Sequence, residues 1–430
     1  MSQSHPEPPS SDSKSTDHPP IGWYGADPMD PAHQDDPYPG YRQLRETQPI
    51  SLTPFGNWRV SRYDDCWRVL MKLPCGMRRT DGLLPGQSPD DEQTGQPSFM
   101  LLQDGAAHTR LRKLVAKAFT PRAVESWRPR IQAITDDLLD TVADRGEMDL
   151  IRDLALPVPA TLICELLGVP VEDRDRFTQW TADATHGLVT IRGGSPPELV
   201  ERVERARQGL AGYFSALIDE RRGQDRDDLM SVLIAADETG DRLEPGELIV
   251  QCIGLLIAGF ETTIGLIGNG LTTLIRYPDE LARLRAEPAL ISSAVEECLR
   301  YSGPITMTVR VLHAPAEFDG YVIPTNAEVS VVTAAANRDP ARYEDPERFD
   351  VGRWTRQPAP PPHMAFGGGV HLCLGAHLAR LETQIAIGSL VSRFDDLELL
   401  DERTEWGRSL FRVPSRVPIS FRSPAPRAAA

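Results

Sequence analysis

The strongest chemical signal in the sequence is a cysteine inside a glycine-rich segment. Cys373 lies in FGGGVHLCLG, residues 366–375, directly before a helical pattern over residues 376–390. Free backbone N–H groups and the helix dipole stabilise a thiolate at such a position, and a thiolate is a metal ligand or a nucleophile. Gly375 would let the first helical turn approach a flat cofactor without a side chain between them. An isolated cysteine is usually a buried core residue, but this spacing favours a cofactor site.

A second signal lies in an apolar helical pattern over residues 247–276, whose middle reads AGFETT from Ala258 onward. In a helix, Ala258 and Gly259 share a face with Thr262. A notch of small residues beside a hydroxyl group could admit O2. Glu261 is unusual there because ionisable side chains are costly to bury unless they are paired or used. Close helix packing accounts for the glycines further along this pattern, whereas the notch beside Thr262 favours chemistry.

Two charged patterns are ambiguous when taken alone. Glu297 and Arg300 are spaced i, i+3 on a predicted helix, which is usually a solvated pair worth about 0.2–0.5 kcal/mol. His108 and Arg112 are four residues apart and so lie about 40° apart around a helix. The opposite side of that helix carries further cations: Arg110, Lys113 and Lys117. An ordinary surface helix explains this pattern on geometry alone.

Together these motifs resemble the signatures of the cytochrome P450 family. All four fixed positions of the family's haem-binding signature, FxxGxxxCxG, are matched, at Phe366, Gly369, Cys373 and Gly375. AGFETT resembles the distal motif AGx(E/D)TT, and Glu297 with Arg300 resembles the ExxR motif. The resemblance covers nearly the whole chain after residue 20. It implies a single-domain cytochrome P450 fold, mainly α with small β-sheets, that holds haem b (iron protoporphyrin IX) between the Gly259 helix and the Cys373 loop.

The resemblance implies the catalytic and metal-binding roles. Cys373 is the implied proximal thiolate on the haem iron, where electron donation favours O–O cleavage. Thr262 is implied to hydrogen-bond dioxygen, and Glu261 to relay protons. The ExxR pair is implied to be structural and to hold the loop that presents Cys373, with Arg353 rather than Arg348 as its third partner.

The resemblance also implies how the cofactor is held. His108 and Arg112 would bind the haem propionates together with Arg310 and His371, because paired cations suit carboxylates. The implied cofactor-binding residues are His108, Arg112, Ala258, Gly259, Arg310, Phe366, Gly367, His371, Cys373 and Gly375.

Electrons must come from separate proteins, since the sequence has no P-loop and no GxGxxG opening a βαβ unit. The resemblance to soluble bacterial members implies a ferredoxin and a ferredoxin reductase as electron donors. Arg110, Lys113 and Lys117 are then candidates for docking the acidic electron-transfer protein.

The implied reaction is activation of O2 followed by hydroxylation or epoxidation of a mainly apolar small molecule, such as a natural-product intermediate of secondary metabolism. Three alternatives stay open. The same fold could couple aromatic rings through C–C or C–N bonds without oxygen insertion, or use peroxide instead of electron donors. A non-catalytic haem sensor is disfavoured because it would leave Glu261 and Thr262 without a purpose.

Composition sets outer limits on the function. The chain has 430 residues, of which 40% are hydrophobic, so it can bury a sizeable core. A net charge of −16 disfavours nucleic acids and anionic membranes as partners. The six cysteines show no CxxC spacing, which disfavours a zinc site or a disulfide scaffold. No signal peptide is visible. The longest apolar run is far short of the ~20 residues needed to cross a bilayer. We therefore expect a cytoplasmic enzyme without a membrane anchor.

Residues 1–20 are rich in Ser and Pro and are predicted to be a disordered leader, and residues 21–430 to be one haem domain. Helical patterns dominate residues 125–300. Short strand patterns are too dispersed for a doubly wound sheet; they lie near residues 58–61, 306–312, 321–323, 328–333 and 417–421. The substrate pocket is expected to be lined by residues 83–100, residues 180–190, Phe260, residues 305–309 and the Leu410 region. Within it, Thr306 and Thr308 suggest a substrate with a few polar groups.

Overall fold

The computed structural model describes residues 19–22, 31–90, 97–186, 196–224, 229–231, 233–234, 246–407 and 411–423. Most of these residues are helical. The α-helices are α1 (Pro31–Asp35), α2 (Tyr38–Thr47), α3 (Tyr63–Met71), α4 (Gly105–Ala116), α5 (Pro121–Ser126), α6 (Arg128–Val142), α7 (Pro157–Leu166), α8 (Arg174–Thr185), α9 (Pro197–Arg221), α10 (Glu247–Arg276), α11 (Pro278–Ala286), α12 (Ile291–Ser302), α13 (Thr333–Ala336) and α14 (Ala376–Arg393).

Helix α10 is the axis of the helical part of the fold. Its bounds, Glu247–Arg276, are those that the apolar pattern predicted. It packs against α7, α8, α9, α12 and α14, and it is apolar on most sides because it runs through the core. Its length and composition alone would allow it to cross a membrane, but 50% of its most apolar window is buried inside the fold, and core helices pass the same test.

The strands form small sheets at the periphery of the helical core. Their bounds are β1 (Ile50–Leu52), β2 (Trp58–Val60), β3 (Cys75–Gly76), β4 (Glu147–Asp149), β5 (Thr308–Leu312), β6 (Ala316–Phe318), β7 (Tyr321–Ile323), β8 (Glu328–Val331), β9 (Asp395–Leu399), β10 (Glu405–Trp406), β11 (Pro414–Arg416) and β12 (Pro418–Arg422). The largest sheet has the order β1-β2-β8-β5-β3, and the next has the order β4-β12-β9. In the larger sheet β8 pairs parallel to β2 and antiparallel to β5.

The predicted strand regions are confirmed with small shifts at their ends. The strand predicted over residues 328–333 ends at Val331, because Thr333–Ala336 begins a short helix. The pattern over residues 306–312 becomes a strand at Thr308. No doubly wound sheet is present among the described residues, as the sequence predicted.

Three apolar clusters hold the described elements together. The largest contains buried residues of every helix from α4 to α12 and of α14. The second lies around Val60, Leu312 and Val331 of the largest sheet, and the third joins α2 to α13 through Leu44 and Ala335. The fold is a single, mainly α domain with small sheets. Most of the predicted leader, residues 1–18, lies outside the described residues, so the boundary at residue 20 stays a prediction.

Candidate functional site

A closed loop of residues 366–373 presents the Cys373 thiol at the start of α14. The Cys373 N–H donates to the Phe366 carbonyl at 3.0 Å. Gly369 has a φ of 66°, and a Cβ added there would come within 2.5 Å of the Leu70 carbonyl oxygen, so the turn requires glycine. All six cysteines lie in the described residues; five are buried or half-buried, and Cys373 is exposed. The loop therefore keeps this thiol accessible.

The position of Cys373 does not by itself produce a thiolate. Although the residue is exposed, the surrounding protein desolvates its thiol and raises the pKa, while a hydrogen bond from the Gly375 N–H and the charges of Arg112 and Arg380 lower it by less. Desolvation therefore opposes the stabilisation that the backbone N–H groups give to a thiolate. A bound metal cation reverses that balance, since a coordinating thiol is deprotonated outright.

The backbone beside the thiol leaves room for a flat group. A Cβ added at Gly375 would meet no atom within 4 Å. On α10, which packs against α14, Ala258 is exposed, and Gly259 and Thr262 are half-buried, although most of that helix is buried. The predicted notch is thus open. Phe260, expected in the pocket wall, is instead packed in the core.

The notch brings a hydroxyl and a carboxyl group next to each other. The Thr262 hydroxyl donates to the Ala258 carbonyl at 2.8 Å, a bond typical of threonine inside a helix. Glu261 is half-buried at the preceding position. The arrangement places a hydroxyl and a carboxyl group at consecutive positions in the middle of a mainly apolar helix.

Helix α4 packs its His108 face against the cysteine loop. The rings of His108 and His371 are both buried, with centroids 4.3 Å apart. Arg112 donates to the Leu372 carbonyl at 2.7 Å. Burial is the main cause that lowers the pKa of His108, and the nearby charges of His371 and Arg112 lower it further. The predicted cations of α4 and of the loop are therefore brought together.

A fourth cation, Arg310, reaches the same loop from β5. Its guanidinium donates to the Val309 carbonyl at 2.7 Å and lies 3.9 Å from a Cβ built on Gly367. Arg310 is buried, which lowers its pKa, and it has no carboxylate partner within 4 Å among the described residues. The buried Nδ1 of His371 also lacks a hydrogen-bond partner there. Buried cations and donors of this kind fit an anionic group, as the carboxylates of a haem would be.

Asp104 is a member of this cluster that the sequence reading missed. Its carboxylate accepts from the backbone N–H groups of Met77 and Arg78, both at 2.8 Å, and from Nε2 of His371 at 3.0 Å. Burial would raise the pKa of Asp104, but these hydrogen bonds lower it. The available signal was its place directly before α4, which aspartate favours. Asp104 fixes the orientation of the His371 ring.

The ExxR motif forms a fully buried ion triad. Arg300 makes two 2.8 Å hydrogen bonds to Glu297, and Nε of Arg353 donates to the same carboxylate at 3.0 Å. The prediction of Arg353 rather than Arg348 is confirmed, since Arg348 is exposed and contributes its carbonyl oxygen to both guanidinium groups. Asn337 connects the triad to the chain just before the cysteine loop. Its backbone carbonyl accepts a hydrogen bond from Arg300, and its side-chain oxygen accepts one from the Met364 N–H.

Only part of the basic patch predicted on α4 remains a candidate for docking an electron-transfer protein. Arg110 forms an ion pair with the buried Glu247 of α10 at 2.7 Å, so its inclusion among the docking cations is wrong. Lys113 and Lys117 are exposed. The cysteine loop, which packs on the other side of α4, exposes two apolar side chains, Val370 and Leu372.

The expected pocket lining is described only in part, because residues 91–96, 187–195 and 408–410 lie outside the described residues. Thr306 is buried and its side chain is hydrogen-bonded to Tyr41. Thr308 is half-buried and accepts from Arg310 at 3.3 Å. Thr306 therefore does not support a polar group on the substrate.

Known proteins match this chain along most of its length. A family model described as Cytochrome P450 matches residues 86–407. Cytochrome P450 107B1 of Saccharopolyspora erythraea is 42% identical over 385 residues, which cover 86% of this chain and 91% of that protein. Cytochrome P450 monooxygenase PikC of Streptomyces venezuelae is 43% identical over 372 residues, which cover 85% of each.

Solved structures agree with these relatives. The crystal structure of P450BioI in complex with hexadec-9Z-enoic acid ligated acyl carrier protein superposes with a TM-score of 0.81 at 35% identity. The match covers 91% of this chain and 99% of that chain.

Proposed function

Because the chain belongs to the cytochrome P450 family, it is an oxidoreductase whose cofactor is haem b, and we propose that Cys373 is the thiolate ligand of the haem iron. The observation that carries this proposal is the exposed Cys373 thiol, held by a closed loop beside the open backbone of Gly375. Thiolate-ligated haem supplies the reductive activation of O2. Phe366 and Gly367 shape the loop, and Ala258 and Gly259 give the opposite face of the cofactor a smooth surface.

The haem propionates are held by His108, Arg112, Arg310 and His371. The support is the convergence of these cations on one loop and the absence of a carboxylate partner for Arg310 among the described residues. Charge-assisted hydrogen bonds to carboxylates are short and strong. Asp104 keeps the His371 ring in place.

Thr262 and Glu261 deliver protons at the notch. Rotation about one side-chain bond releases the Thr262 hydroxyl from the Ala258 carbonyl and lets it donate towards an O2 molecule held there. Glu261, at the adjacent half-buried position, replaces the proton that Thr262 gives up. The balance per turnover is two electrons and two protons for each O2, with one oxygen atom going to substrate and one to water.

The substrate is a mainly apolar small molecule that is hydroxylated or epoxidised, such as a natural-product intermediate. The support is the apolar character of α10 around the notch and the fatty acyl chain named for the P450BioI structure. The electrons come from a ferredoxin and its reductase. The ferredoxin docks on the exposed side of α4 that carries Lys113 and Lys117. We place the enzyme in the cytoplasm, without a nucleic-acid or membrane partner.

The test of this reaction is turnover under ¹⁸O2 with a ferredoxin and its reductase. Apolar compounds, beginning with hexadec-9Z-enoic acid, are first screened for a shift of the ferric haem spectrum. We expect one ¹⁸O atom in the product of any compound that binds and turns over. A product that has lost two hydrogen atoms and carries no ¹⁸O would favour oxidative coupling of aromatic rings. Turnover with peroxide but not with electron donors would favour the peroxide route.

A further inference from the structure

A second carboxylate stands directly beside the ExxR glutamate and serves a different set of partners. Glu296 accepts two hydrogen bonds from Arg380 of α14, with Nε at 2.5 Å and Nη2 at 2.9 Å. It also accepts from Nε2 of His363 at 3.0 Å. The Glu297 triad and the Glu296 cluster therefore hold two different sides of helix α12.

Arg380 stands behind the loop that presents Cys373. Its guanidinium lies 4.5 Å from the centroid of the Phe366 ring, in a cation–π contact. Phe366 supplies the carbonyl that accepts the Cys373 N–H at 3.0 Å. The His363 ring lies 6.2 Å from the Phe366 ring. The cluster of Glu296, His363 and Arg380 is thus in contact with the first residue of the loop.

The charge of this cluster lies close to the cysteine. The Arg380 guanidinium contacts the Phe366 ring, and the Phe366 carbonyl accepts the Cys373 N–H, so one residue separates the cation from the cysteine backbone. Burial would raise the pKa of Glu296, but Arg380 and His363 lower it to about 2, so the carboxylate is ionised at neutral pH. A bidentate Arg–carboxylate pair also fixes the direction of the guanidinium.

We propose that Arg380, held in place by Glu296 and His363, is a positioning residue that makes the haem iron easier to reduce. This inference rests on the proposed function, in which Cys373 ligates that iron. Reduction adds one electron, supplied by the redox partner or by dithionite, to a centre whose thiolate ligand is already rich in electrons. The positive end of the Arg380–Glu296 ion pair contacts Phe366. It stabilises the added negative charge through a partly desolvated region, where Coulomb interactions are stronger than in water.

A purely structural role for the cluster makes a different prediction. If Arg380 only ties α12 to α14, its loss lowers the stability of the fold but leaves the reduction potential unchanged. Charge and shape can be separated at this position. Arg380→Met keeps most of the side-chain length over Phe366 without the charge, and Arg380→Lys keeps the charge without the bidentate geometry.

The experiment is a potentiometric titration of the ferric and ferrous holoenzyme for wild type, Arg380→Met and Arg380→Lys. Arg393→Met is the matched control, because Arg393 lies on the same helix and pairs with Asp140 away from the cysteine loop. For Arg380→Met we expect the ratio of reduced to oxidised protein at a fixed potential to fall about threefold, or about 28 mV at 59 mV per tenfold change. Arg380→Lys should recover most of that shift.

A shift in Arg380→Met no larger than in Arg393→Met, or an equal shift in Arg380→Lys, would overturn the inference. Arg380→Gln replaces Arg380→Met if the methionine variant does not retain haem. The ferrous-CO spectrum of wild type is recorded first. Failure of that spectrum to show thiolate ligation counts against the proposed function, whereas a normal spectrum with unchanged potentials counts against the role of Arg380 alone.

Discussion

Thr262 carries the most specific role proposed for a single side chain. Its hydroxyl is the polar group at the open notch of α10, where it donates to Ala258 at 2.8 Å. We expect Thr262→Ala to bind haem and substrate normally but to release several times more hydrogen peroxide per pair of electrons consumed. The reason is that the hydroxyl group that donates the proton towards O2 is missing. The measurement is peroxide formed against donor oxidised.

Thr262→Ser is the control for that experiment, because it restores a hydroxyl without the methyl group. Its coupling should lie close to that of wild type. Unchanged peroxide release in Thr262→Ala would remove this side chain from the mechanism.

Asp104 gives a pH-dependent prediction at the same scale. Its carboxylate accepts from two backbone N–H groups and His371, which hold its pKa below the ordinary value of 3.8 despite burial. A lowered carboxyl pKa contributes stability that is complete above 3.8 and is lost as the pH falls through the lowered value. We expect Asp104→Asn to lower the free energy of unfolding at pH 7 by about 1.5–3 kcal/mol, and by less below pH 3.8.

Urea unfolding of the holoenzyme at pH 7 and pH 3 measures this difference. Asp90→Asn, at an exposed aspartate, should have almost no effect at either pH. If Asp104→Asn lowered the free energy of unfolding equally at pH 7 and pH 3, the role of the carboxylate charge would be contradicted.

At the scale of elements, the ExxR triad fixes the chain between α12 and the cysteine loop. Glu297, Arg300 and Arg353 are almost fully buried. Replacing Arg353 leaves the acceptors that it contacts, on Glu297 and on the Glu344, Asp345 and Arg348 carbonyls, without a donor. We expect Arg353→Gln to destabilise the protein by about 3–5 kcal/mol, since each buried acceptor left unpaired costs about 1–3 kcal/mol, and to lower the haem content of the purified protein. Arg348→Gln, at an exposed arginine whose side chain makes only a long 3.9 Å ion pair with Glu280, should stay within about 0.5 kcal/mol of wild type. Equal effects of the two variants would contradict the assignment.

The helices and strands that position the site were largely predictable from the sequence. Helix α10 has the predicted bounds because a long apolar pattern leaves few other ways to bury its side chains. The cysteine loop was predictable because its glycines are required by backbone geometry, as at Gly369. Both features depend on residues close together in the chain.

The features that escaped prediction depend on residues far apart in the chain. The pairing of Arg110 with Glu247 spans 137 residues, and no local pattern shows that this cation is already used. The raised pKa of Cys373 depends on the packing around it, which outweighs the local helix terminus. The pairing of Glu296 with Arg380 is likewise a tertiary contact beside a motif that draws attention to Glu297.

At the scale of the whole molecule, an acidic chain exposes two cations on one side of α4. The net charge is −16, whereas Lys113 and Lys117 are exposed on the helix whose other side, with His108 and Arg112, packs on the cysteine loop. We expect Lys113→Glu with Lys117→Glu to slow reduction by a ferredoxin by about tenfold or more at low salt and to weaken the salt dependence of the rate. Stopped-flow reduction at several ionic strengths measures both effects.

Arg205→Glu is the matched control for charge. Arg205 is exposed on α9, which packs on α8 and α10. Its reversal should leave the rate of reduction near that of wild type. A rate and a salt dependence that do not change in the double lysine variant would exclude this surface as the docking site.

The central claim is that Cys373 is the thiolate ligand of a haem iron. The most direct measurement is the absorption spectrum of the purified protein, oxidised and then reduced under carbon monoxide, for wild type and Cys373→Ser. We expect a strongly red-shifted ferrous-CO Soret band in wild type that is lost in Cys373→Ser. A wild-type protein that binds haem without that band, or a band that survives the substitution, would contradict the claim.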